Sequence, residues 1–257
     1  MKGGRSLVRW MEKAGKPEMY ATKVFNTLNR EHGKLLSAEL RVLLSVDCPC
    51  IIKFYWAWVD KNYVNLVREE MWLGSLFDMV YLRQSSCFSC PPGVLRWRVG
   101  GDRAGGLLHS HRDERAILAI AFQIFCGLEY LHSMGIVHRD VKPSNILANT
   151  CGSVKLADFG TALPLAEKTN HVMGTFRYMP PENEPREKGD VWAAGLVVAE
   201  LFAHDVPFKS CGTHVEMAQL LDENDNDKLI THVLPKRIPA PESITRLVNT
   251  RTYRSCC

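Results

Sequence analysis

Residues 135–147 read "GIVHRDVKPSNIL" and set His138, Arg139, Asp140, Lys142 and Asn145 between two aliphatic flanks. A plain core strand has no use for so many polar groups, since each buried one costs free energy unless it is partnered. The stretch therefore reads as a chemically active loop held between short buried strands.

Further along, "KLADFG" places a second carboxylate, Asp158, after an apolar run and just before a glycine. Magnesium prefers hard oxygen ligands and is usually held by one or two such side chains together with substrate phosphates. Asn145 and Asp158 suit that role, which leaves Asp140 to orient a substrate hydroxyl and accept its proton. Lys142 adds a cation where charge develops on a transferred phosphoryl group. The implied chemistry is phosphoryl transfer from a nucleotide.

Before this region, strand-like runs ("MYATKVF", "IIKFYWAWV", "YVNLV") surround one helical pattern over 35–46, with Leu36, Leu40, Leu43 and Leu44 on one face. From Glu114 onward "ERAILAIAFQIFCGLEYLHS" and "DVWAAGLVVAELFA" are apolar nearly all round, as buried helices are. Between the two regions, 84–112 is rich in Gly, Arg, Ser and Pro without periodicity and reads as an irregular insertion.

The 257 residues, 46% hydrophobic and 23% charged, are enough for one large domain or two lobes. A net charge of +4 with dispersed Lys and Arg gives no strong signal for nucleic acid or a membrane surface, and no nucleic-acid partner is expected. The apolar segments are interrupted by Gln123, Glu129 and Glu200, so no membrane span is expected. Nine scattered cysteines without a secretory signal suggest reduced thiols, in the cytoplasm or nucleus. Cys87 and Cys90 are followed by His109 and His111, but that histidine spacing is shorter than zinc sites use. The final "SCC" does not fit a prenylation signal.

Taken in order, "HRDVKPSN", "DFG", "GTFRYMPPE" and "DVWAAG" resemble the catalytic loop, magnesium loop, activation-segment end and following helix of the eukaryotic protein kinases, over roughly residues 2–248 outside the insertion. The resemblance implies an α+β bilobal fold: a small, mainly β N-lobe with one helix, and hinge, over 1–71, and a larger, mainly α C-lobe over 72–257. It implies ATP and Mg²⁺ as cofactors and a protein substrate with a Ser or Thr acceptor, because Lys142 and Thr175 match the Ser/Thr-specific branch. A regulatory partner is left undefined.

By the same resemblance, Lys23 of "YATKVF", fifteen residues after Val8, is the phosphate-binding lysine and Glu39 its helical partner. Gly3, Gly4, Ser6, Val8, Ala21, Glu69, Met71 and Leu147 would line the nucleotide, together with Lys23, Asn145 and Asp158. His138 and Phe159 would stack with Leu43 and Phe54 as an apolar spine. Several departures stand out. The Gly-rich loop is incomplete, with Ser6 at the third glycine position, and the chain looks truncated at both ends. Arg68 takes a position that is commonly apolar or small. Ser144 replaces the acidic residue that often accompanies a preference for basic substrates. Thr169, near His171 and an unpaired Glu167, is a candidate phosphosite facing Arg139, and Glu182 lacks its usual arginine unless Arg251 or Arg254 supplies it. The alternative reading is a pseudokinase or scaffold with this fold and weak or absent catalysis.

Overall fold

The computed structural model describes residues 6–13, 16–81, 114–167, 173–180, 186–222 and 233. Strands β1 (Ser6–Lys13) and β2 (Lys16–Asn26) form an antiparallel pair, followed by helix α1 (Arg30–Leu43), β3 (Phe54–Asp60) and β4 (Tyr63–Glu69). The four strands make one antiparallel sheet in the order β1-β2-β4-β3. Short elements β5 (Gly74–Ser75) and α2 (Leu76–Tyr81) lead toward the helical part, where α3 (Glu114–Ser133), α4 (Glu187–Ala203) and α5 (His214–Asp222) carry the bulk. Between α3 and α4 lie β6 (Ile136–Val137), β7 (Ile146–Ala148), β8 (Val154–Leu156) and β9 (Leu163–Pro164). A β-rich part and a helical part meet as the bilobal α+β architecture requires. The insertion expected at 84–112 lies outside the described residues.

Helix α1 starts earlier than its leucines suggest, because Asn29 caps it. The Asn29 side chain accepts the Glu31 N–H at 2.9 Å and the His32 N–H at 3.3 Å, satisfying two amides that the first turn leaves open. The helix also ends earlier, at Leu43. Leu43 is buried, whereas Leu44, expected on the same face, is 71% exposed: it still donates to the Leu40 carbonyl, but one residue on it lies about 100° round the axis, past the edge of the buried face.

The strand expected from Ile51 begins only at Phe54. Ile51 instead bridges to Leu156, and the Ile52 N–H donates to the Leu156 carbonyl at 2.9 Å, so these two buried isoleucines dock onto β8. Helix α3 is long and apolar enough to cross a membrane by composition. Its Ile117, Ile120, Ile124, Leu128 and Leu131 are buried in the core with α4, which is buried along most of its length. Phe122, away from these residues, is 71% exposed, so α3 is a core helix with one buried face.

Candidate active site

Lys23 sits on β2 opposite Leu66 of β4, with Ser6 of β1 on its other side. Its ammonium is bonded to Glu39 Oε2 on α1 and lies 2.9 Å from Asp158 Oδ1, which follows β8. The two carboxylates respond differently to the shared cation. Burial pushes the Glu39 carboxyl up, and the nearby Lys23 and Arg68 offset this only in part. Burial also pushes Asp158 up, but Lys23, with His138 and Arg68, outweighs it and leaves that carboxyl below its ordinary value. The exposures explain the contrast, since the Glu39 side chain is 1% exposed and that of Asp158 46%.

The loop that opened the sequence reading is anchored from below by Asp190, in the first turn of α4. Asp190 accepts the His138 N–H at 2.8 Å and the Arg139 N–H at 2.8 Å, and contacts His132 Nε2 at 2.9 Å. These bonds hold Arg139 at φ 69°, a left-handed conformation that a non-glycine residue adopts only when its surroundings impose it. Nothing local in "DVWAAG" marks Asp190 for this role, because α4 opens on Glu187 and Lys188 and its first turn is charged without it. His138 is fully buried, its Nε2 lies 3.1 Å from the Ala157 carbonyl, and its ring packs at a tilt of 51° against Phe159, 5.1 Å between centroids. Leu43 lies in the buried apolar cluster that contains Phe159, and the partly buried Phe54 packs against that cluster.

Asp140 is gripped from three directions. Oδ2 accepts from Lys142 Nζ at 2.6 Å and from Asn145 Nδ2 at 3.0 Å, and Oδ1 accepts from Thr175 Oγ1 at 3.0 Å. Lys142 also donates to Thr175 Oγ1 at 2.8 Å, closing a ring of three side chains. Gly174 makes this closure possible. Its φ is 113°, and a Cβ there would come within 2.5 Å of the Arg139 carbonyl.

The Asn145 amide nitrogen is engaged by Asp140, by the carbonyl at 2.8 Å as well as by the carboxylate, which leaves the amide oxygen as a ligand. Asp158 has one oxygen on Lys23 and a half-exposed carboxylate. An amide oxygen and an ionised carboxylate are hard donors of the kind magnesium takes, so these residues fit the ion.

Val8 of β1 is paired with Ala21, and Ala21 in turn with Arg68. Met71 is buried, and Leu147 lies on β7 between Ser75 and Lys155. The Glu69 side chain is committed elsewhere, accepting from the Lys53 N–H at 2.6 Å and from Lys155 Nζ at 2.7 Å. Gly3, Gly4, Thr169, His171 and Glu182 lie outside the described residues, as do Arg251, Arg254 and the Cys87–Cys90 pair with its histidines. Glu167, expected to be unpaired, meets Arg41 of α1 at 3.6 Å. Both are long exposed side chains on surfaces that the sequence could not place side by side.

One buried cluster was not foreseen. Glu200 of α4, 1% exposed, accepts the Tyr81 hydroxyl at 2.7 Å and the Tyr178 hydroxyl at 2.5 Å. Burial and the adjoining carboxylate push both phenols far up, so they remain donors.

Comparison with known proteins agrees with this geometry. The family model described as "Protein kinase domain" matches residues 2–250. A "cAMP-dependent protein kinase, catalytic subunit-like" of Caenorhabditis elegans is 34% identical over 197 residues, 74% of this chain and 43% of that protein. "Mitogen-activated protein kinase kinase 2" of Arabidopsis thaliana is 31% identical over 216 residues, covering 80% of this chain and 52% of its own length. A mitogen-activated protein kinase kinase of Aspergillus fumigatus is 31% identical over 270 residues, covering 99% and 48% respectively. The chain thus spans about half the length of the curated relatives it matches.

Proposed function

We propose, from the premise that this chain belongs to the protein kinase family, that it transfers the γ-phosphate of ATP to a serine or threonine hydroxyl of a protein. The observation that carries the reading is a pair of clusters, Lys23 with Glu39 and Asp158, and Asp140 with Lys142, Asn145 and Thr175, whose segments are tied by the Ala157 N–H donating to the Asn145 carbonyl at 2.9 Å.

In this reading Glu39 holds Lys23 toward the α- and β-phosphates, and Asn145 and Asp158 hold magnesium. Magnesium held there would supply positive charge to offset that of the phosphates. Asp140 is oriented by its three donors to accept the proton of the acceptor hydroxyl, with Oδ1 and Oδ2 both fixed before substrate arrives. Lys142, beside Asp140, offsets charge on the group in flight. The Lys142–Thr175 bond supports serine or threonine as the acceptor.

The test is transfer of labelled phosphate from ATP to a peptide library by the purified chain. D140N is expected to lower kcat by at least about a hundredfold, since it removes the base, and D158N to abolish the magnesium dependence along with turnover. Undiminished turnover in either variant overturns the assignment. The rival reading, a kinase-like scaffold without catalysis, is favoured by the buried cation Arg68 in the cleft wall; magnesium-dependent ATP turnover separates the two.

A further inference from the structure

Three observations converge on Arg68. In the sheet register Lys23 faces Leu66 and Ala21 faces Arg68. Residues two apart on a strand share a face, so Arg68 lies diagonal to Lys23 on the side that carries Glu39 and Asp158. Diagonal neighbours are about 7–8 Å apart, within reach of a long side chain. Arg68 is also turned inward, only 7% exposed, rather than extended to solvent. Finally, Glu39 gives Oε2 to Lys23, while its Oε1 is buried with no hydrogen-bond partner among the described residues. A buried carboxylate oxygen in that state is costly unless a second donor can reach it.

We propose that Arg68 is a second cation of the nucleotide-phosphate site, a positioning residue that shares Glu39 with Lys23 through Oε1. The charges that bear on Glu39 are Lys23 from β2, Arg68 from β4 and Asp158 from beyond β8. Arg68 also acts on Glu70, two residues further along, which is the competing partner. Among the groups that bear on Glu39, Arg68 and Lys23 are two cations against Glu39 and Asp158; without Arg68 that set carries a net negative charge. A neutral wall accepts an anionic nucleotide before any metal arrives, and a carboxylate held by Arg68 lets Lys23 turn to the phosphates.

The nucleotide part of this inference rests on the kinase reading; the pairing of Arg68 with Glu39 does not. The experiment therefore uses the 257-residue chain with two readouts. The first is the melting temperature, without nucleotide, of wild type, R68M, R68K, E39Q, E70Q, R68M/E39Q and R68M/E70Q. The second is the Kd of ATP by calorimetry, in EDTA and in magnesium chloride, for wild type, R68M, R68K, K23M and K23M/R68M.

R68M is expected to lower the melting temperature in the wild type but not in the E39Q background, with R68K restoring most of the loss. R68M is expected to weaken magnesium-free ATP binding about tenfold, the scale of one partly screened charge pair. K23M is expected to keep a residual affinity that K23M/R68M loses. Additive shifts for R68M and E39Q, or coupling to Glu70 alone, overturn the pairing. An unchanged magnesium-free Kd in R68M overturns the role at the phosphates. A wild type that binds ATP in neither buffer sinks the kinase reading and the phosphate role together, while the melting temperatures still decide the Arg68–Glu39 pairing.

Discussion

At the scale of single residues, Glu200 shows how much a buried carboxylate depends on its donors. Burial raises its carboxyl pKa, and the Tyr178 and Tyr81 hydroxyls pull it partly back down. A folded-state pKa above the unfolded one means that the native state binds the proton more tightly. The associated stability is fully present below the ordinary carboxylate range and is lost as pH rises through the raised value. Tyr178→Phe removes one of the two donors and leaves Oε2 short of its partner, raising that pKa further. The expected cost is about 1–3 kcal/mol with Glu200 ionised, shrinking as pH falls through its raised pKa. Urea unfolding of both proteins above and below that pKa measures it; a cost independent of pH would show that the hydroxyl serves packing rather than the charge.

Among elements, what could be read in advance was whatever local chemistry dictates. "HRDVKPSN" was legible because a dense polar loop between aliphatic flanks has few explanations, and α3 and α4 because long, mostly apolar runs with few polar interruptions mark helices that contribute to a core. The ends of α1 and β3 were misjudged for a common reason. Asn29 outweighs the leucine pattern in setting where the helix starts, and Ile51 and Ile52 are claimed by β8, a partner more than a hundred residues away. Asp190, Glu200 and Arg41 were illegible as site residues because their roles exist only once α4 and α1 are packed against distant segments. Gly174 belongs to this scale too, since it lets the segment carrying Thr175 pass over the Arg139 carbonyl. Gly174→Ala meets both an unfavourable φ and a backbone oxygen, neither of which can yield without moving Thr175 away from Asp140. Phosphoryl transfer is expected to fall by at least about tenfold, as a displacement of about 1 Å near the chemistry suffices for that. By contrast, the exposed Arg41–Glu167 pair is worth under about 1 kcal/mol. A fully active G174A protein would show that the Thr175–Asp140 bond is dispensable.

For the molecule as a whole, the question is whether the sheet and the helical part unfold together. One continuous apolar cluster runs from Phe25, Val42 and Leu43 on the sheet side to Ile124, Leu128, Phe159 and Val197 on the other. The backbone bridge between Ile51, Ile52 and Leu156, with the Leu156 N–H donating to the Cys50 carbonyl at 2.9 Å, ties the two parts without any ligand. Helix α3 approaches this bridge at Gly127, where a Cβ would come within 2.9 Å of Leu156 Cδ1 and 3.0 Å of the Cys50 carbonyl oxygen. The leucine methyl can rotate aside, but the carbonyl is held by its hydrogen bond, so Gly127→Ala must push α3 away from the bridge. Overpacking of this kind typically costs about 1–3 kcal/mol, against a small gain of helix propensity of up to about 1 kcal/mol. Net destabilisation is therefore expected, and because the clash lies where the two parts join, it should lower one shared transition. Two probes report on it separately: near-ultraviolet signal from the Tyr20, Tyr55 and Trp56 cluster of the sheet, and far-ultraviolet helical signal dominated by α3 and α4. In wild type the two melts are expected to coincide, and in G127A to coincide again at a lower temperature. If the helical signal alone shifts while the aromatic signal stays in place, the bridge does not couple the two parts, and the sheet must draw its stability from β1, β2, β3 and β4 alone.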